Sequence, residues 1–114
     1  MPYLKIKTNA PLTAAATQTL LAKASRAVAS LLGKPEDYVM VALEPPTPML
    51  FAGSDAPLAY LELKSIGLPE GKTAALSKTL CELMEQEIGV KKERVYIEFA
   101  NAKGPLWGWN GGTF

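Results

Sequence analysis

Pro2 is the residue of this chain whose position best suits proton-transfer chemistry. If Met1 is removed, which a small second residue such as proline permits, Pro2 carries a free secondary amine. The pKa of an α-amino group is about 7.7–8.0 before any perturbation, and burial or a nearby lysine lowers that pKa. A pKa of about 6–7 would give a base that is neutral at pH 7, as general acid–base catalysis requires. Because the chain contains no histidine, this amine is the best proton shuttle available.

Pro2 and two residues that could assist it also have ordinary structural explanations. Proline lacks a backbone N–H, so it is tolerated as the first residue of a strand and excluded from its middle. Lys34 would lie at a helix end, where a cation interacts favourably with the helix dipole. Tyr96 would be a strand aromatic that packs against its neighbours. The residue types alone leave both interpretations of Pro2 open, a catalytic amine and a simple strand start.

The composition argues against several other kinds of chemistry. The chain has no histidine and one cysteine, Cys81. We therefore expect no disulfide framework, no zinc or similar metal site and no serine–histidine triad. Cys81 falls among the apolar positions of a predicted helix, so we expect it in or near the core. No cofactor is implied.

Charge and hydropathy predict a soluble, cytoplasmic domain. The 12 lysines and arginines nearly balance the 11 aspartates and glutamates, which is not the basic footprint of a nucleic-acid-binding protein. The opening MPYLKIKT alternates lysines with apolar residues and does not resemble a signal peptide. No run approaches the roughly 18 apolar residues of a membrane-spanning helix. We expect neither nucleic acid nor a membrane as a partner.

The elements that must position Pro2 are predicted by an internal repeat. YLKIKT (3–8) resembles YLELKS (60–65), and GKPEDYVMV (33–41) resembles GVKKERVYI (89–97). Each half predicts a strand, a helix and a strand. We therefore expect a single domain over residues 1–114, built from pseudo-repeat halves of about 2–45 and 57–100.

Periodicity places the helices and strands within each half. Apolar residues recur at helical spacing in 13–32 and 70–88, with Thr13 as a candidate N-cap and Gly33 and Gly89 as stops. The segments DYVMVAL and ERVYIEF supply the second strand of each half. Two β-α-β units predict an α+β, two-layer sandwich: a four-stranded mixed sheet with both helices on one face. The outer strands look apolar on both faces, so the uncovered face favours oligomerisation.

Short motifs spread along almost the whole chain resemble the macrophage migration inhibitory factor family of the tautomerase superfamily. The matching stretches are MP at the start, TNAP (8–11), GKP (33–35), KSIG (64–67), SK-LC (77–81), ERVYI (93–97), GWN (108–110) and GTF (112–114). The resemblance implies the tautomerase fold and a homotrimer with three active sites at subunit interfaces.

The resemblance also implies a function, keto–enol tautomerisation of a small aromatic 2-keto acid such as phenylpyruvate, with dopachrome-type tautomerisation as a related activity. Pro2 would be the general base, Lys34 would pair with the substrate carboxylate, and the backbone N–H of Ile66 would also bind that carboxylate. Tyr96 of a neighbouring subunit would lie near the substrate's reacting end or ring. The apolar wall for the substrate ring would comprise Tyr3, Leu106, Trp109 and Phe114.

Three departures from the family pattern qualify this prediction. Glu98 occupies the position where relatives have asparagine, and an ionised carboxylate accepts hydrogen bonds but donates none. Near Pro2, Glu98 would also raise the pKa of the amine, opposing Lys34. Residues 57–60 (PLAY) replace the C-x-x-C of the mammalian cytokine, and Trp107 is an additional aromatic. The alternative function is a cytokine-like, receptor-mimicking signalling protein with a vestigial site, and non-classical secretion stays compatible with it.

Overall fold

A strand–helix–strand order occurs twice in the computed structural model, which describes residues 1–114. The first half contains β1 (Tyr3–Thr8), α1 (Ala14–Leu32) and β2 (Met40–Leu43). The second half contains β3 (Ala59–Ile66), α2 (Thr73–Ile88) and β4 (Val95–Ala102). A hairpin of β5 (Gly108–Trp109) and β6 (Gly112–Thr113) follows. The tandem β-α-β repeat expected from the sequence is confirmed.

The four long strands form one mixed sheet in the order β2-β1-β3-β4. Each half contributes a parallel pair, β1 with β2 and β3 with β4. The halves join through the antiparallel pair of β1 and β3, in which Tyr3 lies opposite Lys64 and Thr8 opposite Ala59. Pro2, the residue before β1, therefore lies at the same end of the sheet as the carboxyl end of β3.

Both helices begin or end at the residues that the sequence predicts. The Thr13 hydroxyl accepts a hydrogen bond from the Ala16 N–H at 3.1 Å and caps α1. Gly33 and Gly89 follow the two helices with φ of 63° and 70°. Glycine adopts this left-handed conformation without a Cβ clash, so both helices end there.

The core fills the layer between the sheet and the two helices. Strands β1 and β3 alternate buried and more exposed residues, as half-buried strands do. The fully buried strand residues include Leu4, Ile6, Leu61 and Leu63. They pack in one cluster with Leu20, Ala24, Val28 and Leu32 of α1 and with Leu76, Leu80, Leu83 and Met84 of α2. This cluster holds both β-α-β halves together.

The helix-free face of the sheet has a charged centre and more apolar edge strands. At its centre, Lys5 contacts Glu62 at 3.2 Å and Glu44 at 3.3 Å. The hydrogen bond from Lys5 is the main cause that lowers the pKa of Glu62 below its usual range, and the two carboxylates raise the pKa of Lys5. Apolar exposure lies on the edge strands, where Met40 is 66 % exposed and Tyr96 is 65 % exposed.

Three predicted boundaries differ from the structure, each because of a 3₁₀ turn. The predicted strand DYVMVAL begins only at Met40, because residues Glu36–Tyr38 form a 3₁₀ turn in which the Tyr38 N–H donates to the Pro35 carbonyl. The predicted helix over 70–88 begins with a second 3₁₀ turn, Glu70–Lys72, before α2. The predicted strand ERVYIEF begins only at Val95, after the turn Lys92–Arg94. None of the helices combines the length and the apolar character needed to cross a membrane.

Candidate active site

Pro2 is fully buried at the amino end of the inner strand β1. Its carbonyl accepts a hydrogen bond from the Met40 N–H at 3.0 Å, which ties it to the start of β2. Because β1 and β2 are parallel, the residues before Met40 lie beside Pro2. Sheet pairing therefore determines the position of Pro2.

Pro2 borders a cavity of about 390 Å³, which we call the N-terminal cavity. Five of its eleven lining residues are aromatic, and they come from β1, the 3₁₀ turn before β2 and the C-terminal segment. The aromatic residues are Tyr3, Tyr38, Trp107, Trp109 and Phe114. The rings of Trp109 and Phe114 stack at 5.5 Å between centroids, and Tyr38 meets Trp109 edge-on at 5.8 Å. The cavity therefore offers a flat apolar ring a set of aromatic surfaces.

The C-terminal hairpin positions two of these rings. Asn110 and Gly111, with φ of 51° and 79°, form the two-residue turn between β5 and β6. Asn-Gly favours this turn because both central residues need positive φ. The Phe114 N–H donates to the Trp107 carbonyl at 3.2 Å, which returns the chain end to the cavity.

Lys34 supplies a half-buried cation beside the N-terminus. Its Nζ donates to the Ile66 carbonyl at 2.6 Å and to the Ser65 hydroxyl at 3.1 Å. Burial is the largest cause that lowers the pKa of the Met1 amine from 8.0 to about 6, and the hydrogen bond and positive charge of Lys34 contribute to the same shift. The Met1 amine is therefore mainly neutral at pH 7.

Ile66 lies at the same end of the sheet as Pro2 and Lys34. It is the last residue of β3, two positions beyond Lys64, where the pairing of β3 with β1 ends. Its backbone therefore extends past the start of β1 towards the N-terminus. Three predicted site residues thus share one end of the sheet.

Tyr96 and Glu98 lie elsewhere in the chain. Tyr96 pairs with Tyr60, and Tyr60 lies opposite Lys7 near the far end of β1 from Pro2. The chain alone therefore does not bring Tyr96 or Glu98 to Pro2. This separation is compatible with their expected contribution from a neighbouring subunit.

Tyr96 borders a second cavity of about 260 Å³, which we call the loop cavity. The lining comes from the loop between β2 and β3 and from the starts of β3 and β4: Met49, Leu50, Phe51, Ala52, Leu58, Ala59, Tyr60 and Tyr96. The Phe51 and Tyr96 rings are tilted, with centroids 4.7 Å apart. The exposed Leu50 and Tyr96 give this cavity an apolar rim.

Glu98 has a partner within the chain. The Tyr60 hydroxyl donates to Glu98 Oε1 at 3.0 Å. This hydrogen bond to a carboxylate raises the pKa of Tyr60, since ionising the phenol would place two negative charges side by side. The Glu98 carboxylate is therefore held against a phenol.

Leu106 does not join the other predicted wall residues. It is 79 % exposed, and its neighbour Trp107 lines the N-terminal cavity instead. The sequence analysis also missed Asp37 and Tyr38, which line that cavity. The predicted β-α-β pattern could have indicated them, because the two strands of such a unit are parallel and the residues before β2 therefore lie beside Pro2.

Comparisons with known proteins agree on one family. The family model for macrophage migration inhibitory factor (MIF) matches residues 1–114. A macrophage migration inhibitory factor homolog of Brugia malayi is 39 % identical over 100 % of this chain and 99 % of its own length. The crystal structure of a homologue from Prochlorococcus marinus is 42 % identical with a TM-score of 0.93, covering 98 % of both chains. The Toxoplasma gondii factor is 34 % identical with a TM-score of 0.94, covering 98 % of this chain and 99 % of that one.

Proposed function

Because this chain belongs to the macrophage migration inhibitory factor family of the tautomerase superfamily, we propose that it is a keto–enol tautomerase with a processed Pro2 as general base. The proposed substrate is a small aromatic 2-keto acid such as phenylpyruvate. The observation that carries the proposal is the buried Pro2 at an aromatic-lined cavity, with the Lys34 cation beside the N-terminus.

The proposed reaction moves one proton between oxygen and carbon. In the ketonisation direction, the neutral Pro2 nitrogen accepts the proton of the enol hydroxyl at C2. The resulting cationic amine then delivers a proton to C3, while the C2–C3 double bond becomes single and the C2 carbonyl forms. The amine returns to its neutral state, so atoms and charges balance. The lowered pKa of the Met1 amine, one residue away, supports the cycle. A Pro2 amine in the same surroundings would be a free base at pH 7, and its conjugate acid would be acidic enough to return the proton.

Substrate orientation is assigned to the groups around the amine. The Lys34 ammonium pairs with the substrate carboxylate, and the Ile66 backbone N–H donates to the same group. The substrate ring occupies the aromatic part of the N-terminal cavity, against Tyr3, Trp109 and Phe114. A fixed cation at one end and apolar walls around the ring hold the reacting carbon near the base.

A homotrimer completes the proposed site. Tyr96 and Glu98 lie away from Pro2 within one chain, so a neighbouring subunit must present them. The exposed Met40 and Tyr96 on the edge strands supply apolar surface for such an assembly. Sedimentation of the purified protein as a monomer would contradict this part of the proposal.

Ketonisation of phenylpyruvate by wild type and Pro2→Gly tests the proposed function. Glycine at position 2 also permits removal of Met1, so both proteins should carry a free amine of different basicity and geometry. We expect the substitution to lower kcat/KM by about 10²–10⁴-fold, the range typical of a lost general base. Intact-mass measurement establishes what fraction of each preparation lacks Met1.

Pro11→Gly is the matched control, since Pro11 is exposed and precedes α1. It should retain the wild-type rate. Molecules that retain Met1 should be inactive, because their Pro2 nitrogen is an amide without a basic lone pair. Equal rates for wild type and Pro2→Gly would remove Pro2 from the mechanism.

A further inference from the structure

The loop between β2 and β3 contains a tight turn next to the loop cavity. Phe51 and Ser54 exchange two backbone hydrogen bonds, each 3.0 Å long. The two residues between them, Ala52 and Gly53, have φ of 53° and 72°. The segment therefore forms a closed two-residue turn, and Phe51 occupies its first position.

The Arg94 guanidinium binds four backbone carbonyls of this loop. Nε donates to Pro57 at 3.0 Å, and Nη1 donates to Phe51 at 3.2 Å. Nη2 donates to Ser54 and to Ala56, both at 3.0 Å. A rigid planar fork with five N–H groups can serve carbonyls in several directions, whereas a lysine ammonium is a single donor centre.

Arg94 also links this loop to Tyr96. Its guanidinium lies 5.3 Å from the centre of the Phe51 ring, and Phe51 in turn packs on Tyr96 with 4.7 Å between centroids. Arg94 precedes Tyr96 by two residues, at the end of the 3₁₀ turn before β4. One side chain therefore fixes the loop, the Phe51 ring and, through that ring, the exposed phenol of Tyr96.

We propose that Arg94 is a positioning residue that orders the Phe51–Pro57 loop and thereby presents Tyr96 to the N-terminal cavity of a neighbouring subunit. The inference rests on the proposed function, which assigns Tyr96 to that cavity. Arg94 itself does not touch the substrate. Its effect on the reaction is transmitted by the Phe51–Tyr96 contact, so it changes how the substrate is bound and leaves the basicity of the Pro2 amine unchanged.

The test compares Arg94→Lys with Arg26→Lys in the full-length, assembled protein. Arg26 is the chain's other arginine and is exposed on α1, so the same chemical change there serves as a control. Two quantities are measured: hydrogen exchange of the Phe51 and Ser54 amides, and kcat and KM for phenylpyruvate ketonisation across pH. For Arg94→Lys we expect at least tenfold faster exchange and about a tenfold higher KM, with an unchanged pH profile. Arg26→Lys should change none of these.

Three results would overturn the proposal. These are unchanged exchange in Arg94→Lys, faster exchange with unchanged KM, or a lower active fraction with unchanged KM, which would indicate a structural role alone. If wild type and Pro2→Gly ketonise equally, the proposed function fails, and the exchange result still decides whether Arg94 orders the loop.

Should Arg94→Lys not fold, Phe51→Leu keeps the four hydrogen bonds and removes only the linking ring. It should then raise KM, and an unchanged KM would exclude the Phe51–Tyr96 link.

Discussion

The Lys34 ammonium donates a 2.6 Å hydrogen bond to the carbonyl of Ile66, at the carboxyl end of β3. This bond fixes a cation at the end of the sheet where β1 begins. Because a buried amine beside a cation is harder to protonate, the contact explains part of the lowered pKa of the N-terminal amine. The same ammonium is the group that we propose binds the substrate carboxylate.

Replacing Lys34 with methionine should move the acidic limb of the pH–rate profile upwards. Burial, the hydrogen bond of Lys34 and its positive charge together lower the pKa of the Met1 amine from 8.0 to about 6. We expect the same two effects of Lys34 to act on a processed Pro2 amine, so Lys34→Met, which leaves the burial unchanged, should raise the pKa of that amine. Activity should therefore fall most between pH 6 and 8, and KM should rise as the carboxylate loses its partner. The measurement is kcat/KM from pH 5 to 9.

Lys78→Met is the control for this prediction, since Lys78 is exposed on α2. Its pH profile should overlay that of wild type. An unshifted acidic limb in Lys34→Met would show that Lys34 does not influence the base.

Trp107 and its neighbour Leu106 should differ sharply in their effect on substrate binding. Trp107 lines the N-terminal cavity, whereas Leu106 is 79 % exposed. Loss of an aromatic contact of about 1–1.5 kcal/mol corresponds to a roughly tenfold weaker affinity. We expect Trp107→Ala to raise KM for phenylpyruvate about tenfold and Leu106→Ala to leave it within twofold of wild type. The opposite order would assign the cavity wall to Leu106.

Gly104→Ala should displace the chain end that closes the N-terminal cavity. A Cβ on Gly104 would lie 2.5 Å from the backbone oxygen and 2.9 Å from the backbone carbonyl carbon of Phe114. Overpacking of this kind costs about 1–3 kcal/mol. We expect a lower free energy of unfolding in denaturant titrations and a higher KM for aromatic substrates.

Gly71→Ala provides the comparison, because a Cβ there meets nothing within 4 Å and the backbone φ is not positive. Its free energy of unfolding should change by less than about 0.5 kcal/mol. If the two variants were equally stable, the contact of Gly104 with Phe114 would be unimportant.

Ala52→Gly should stabilise the protein. Ala52 has φ of 53°, a left-handed conformation that costs an L-residue about 1–2 kcal/mol. Glycine avoids this cost but loses more entropy on folding, about 0.5–1 kcal/mol. The expected net gain is about 0.5–1 kcal/mol in the free energy of unfolding. Ala56→Gly in the same loop, where φ is not positive, should instead destabilise, so a loss in both variants would contradict the argument.

The sequence carried most of the information about the fold because local signals and long-range pattern agree. Thr13 and the left-handed Gly33 bound α1 as expected, and β1 covers the predicted residues 3–8. The errors fall on the short 3₁₀ turns at Glu36–Tyr38, Glu70–Lys72 and Lys92–Arg94, each of which precedes a strand or helix that was predicted to begin too early.

Less of the candidate site than of the fold could be predicted from the sequence. The position of Pro2 at the start of β1 follows from the strand pattern, but the approach of Lys34 to Ile66 depends on how α1 ends against β3. The cavity wall depends on the turn at Asn110, which folds the chain end back so that Trp107 and not Leu106 faces the cavity. Periodicity does not predict such a reversal in a segment without regular alternation.

The inner position of β1 also limits when Met1 can be removed during biosynthesis. In the finished sheet β1 lies between β2 and β3, and Pro2 is fully buried. The ribosome adds about 5–20 residues per second, so on the order of several seconds pass before β3, which ends at Ile66, has been synthesised. During that interval the nascent N-terminus is open to an aminopeptidase. We therefore expect Met1 to be removed during translation, because Pro2 is fully buried once the chain has folded.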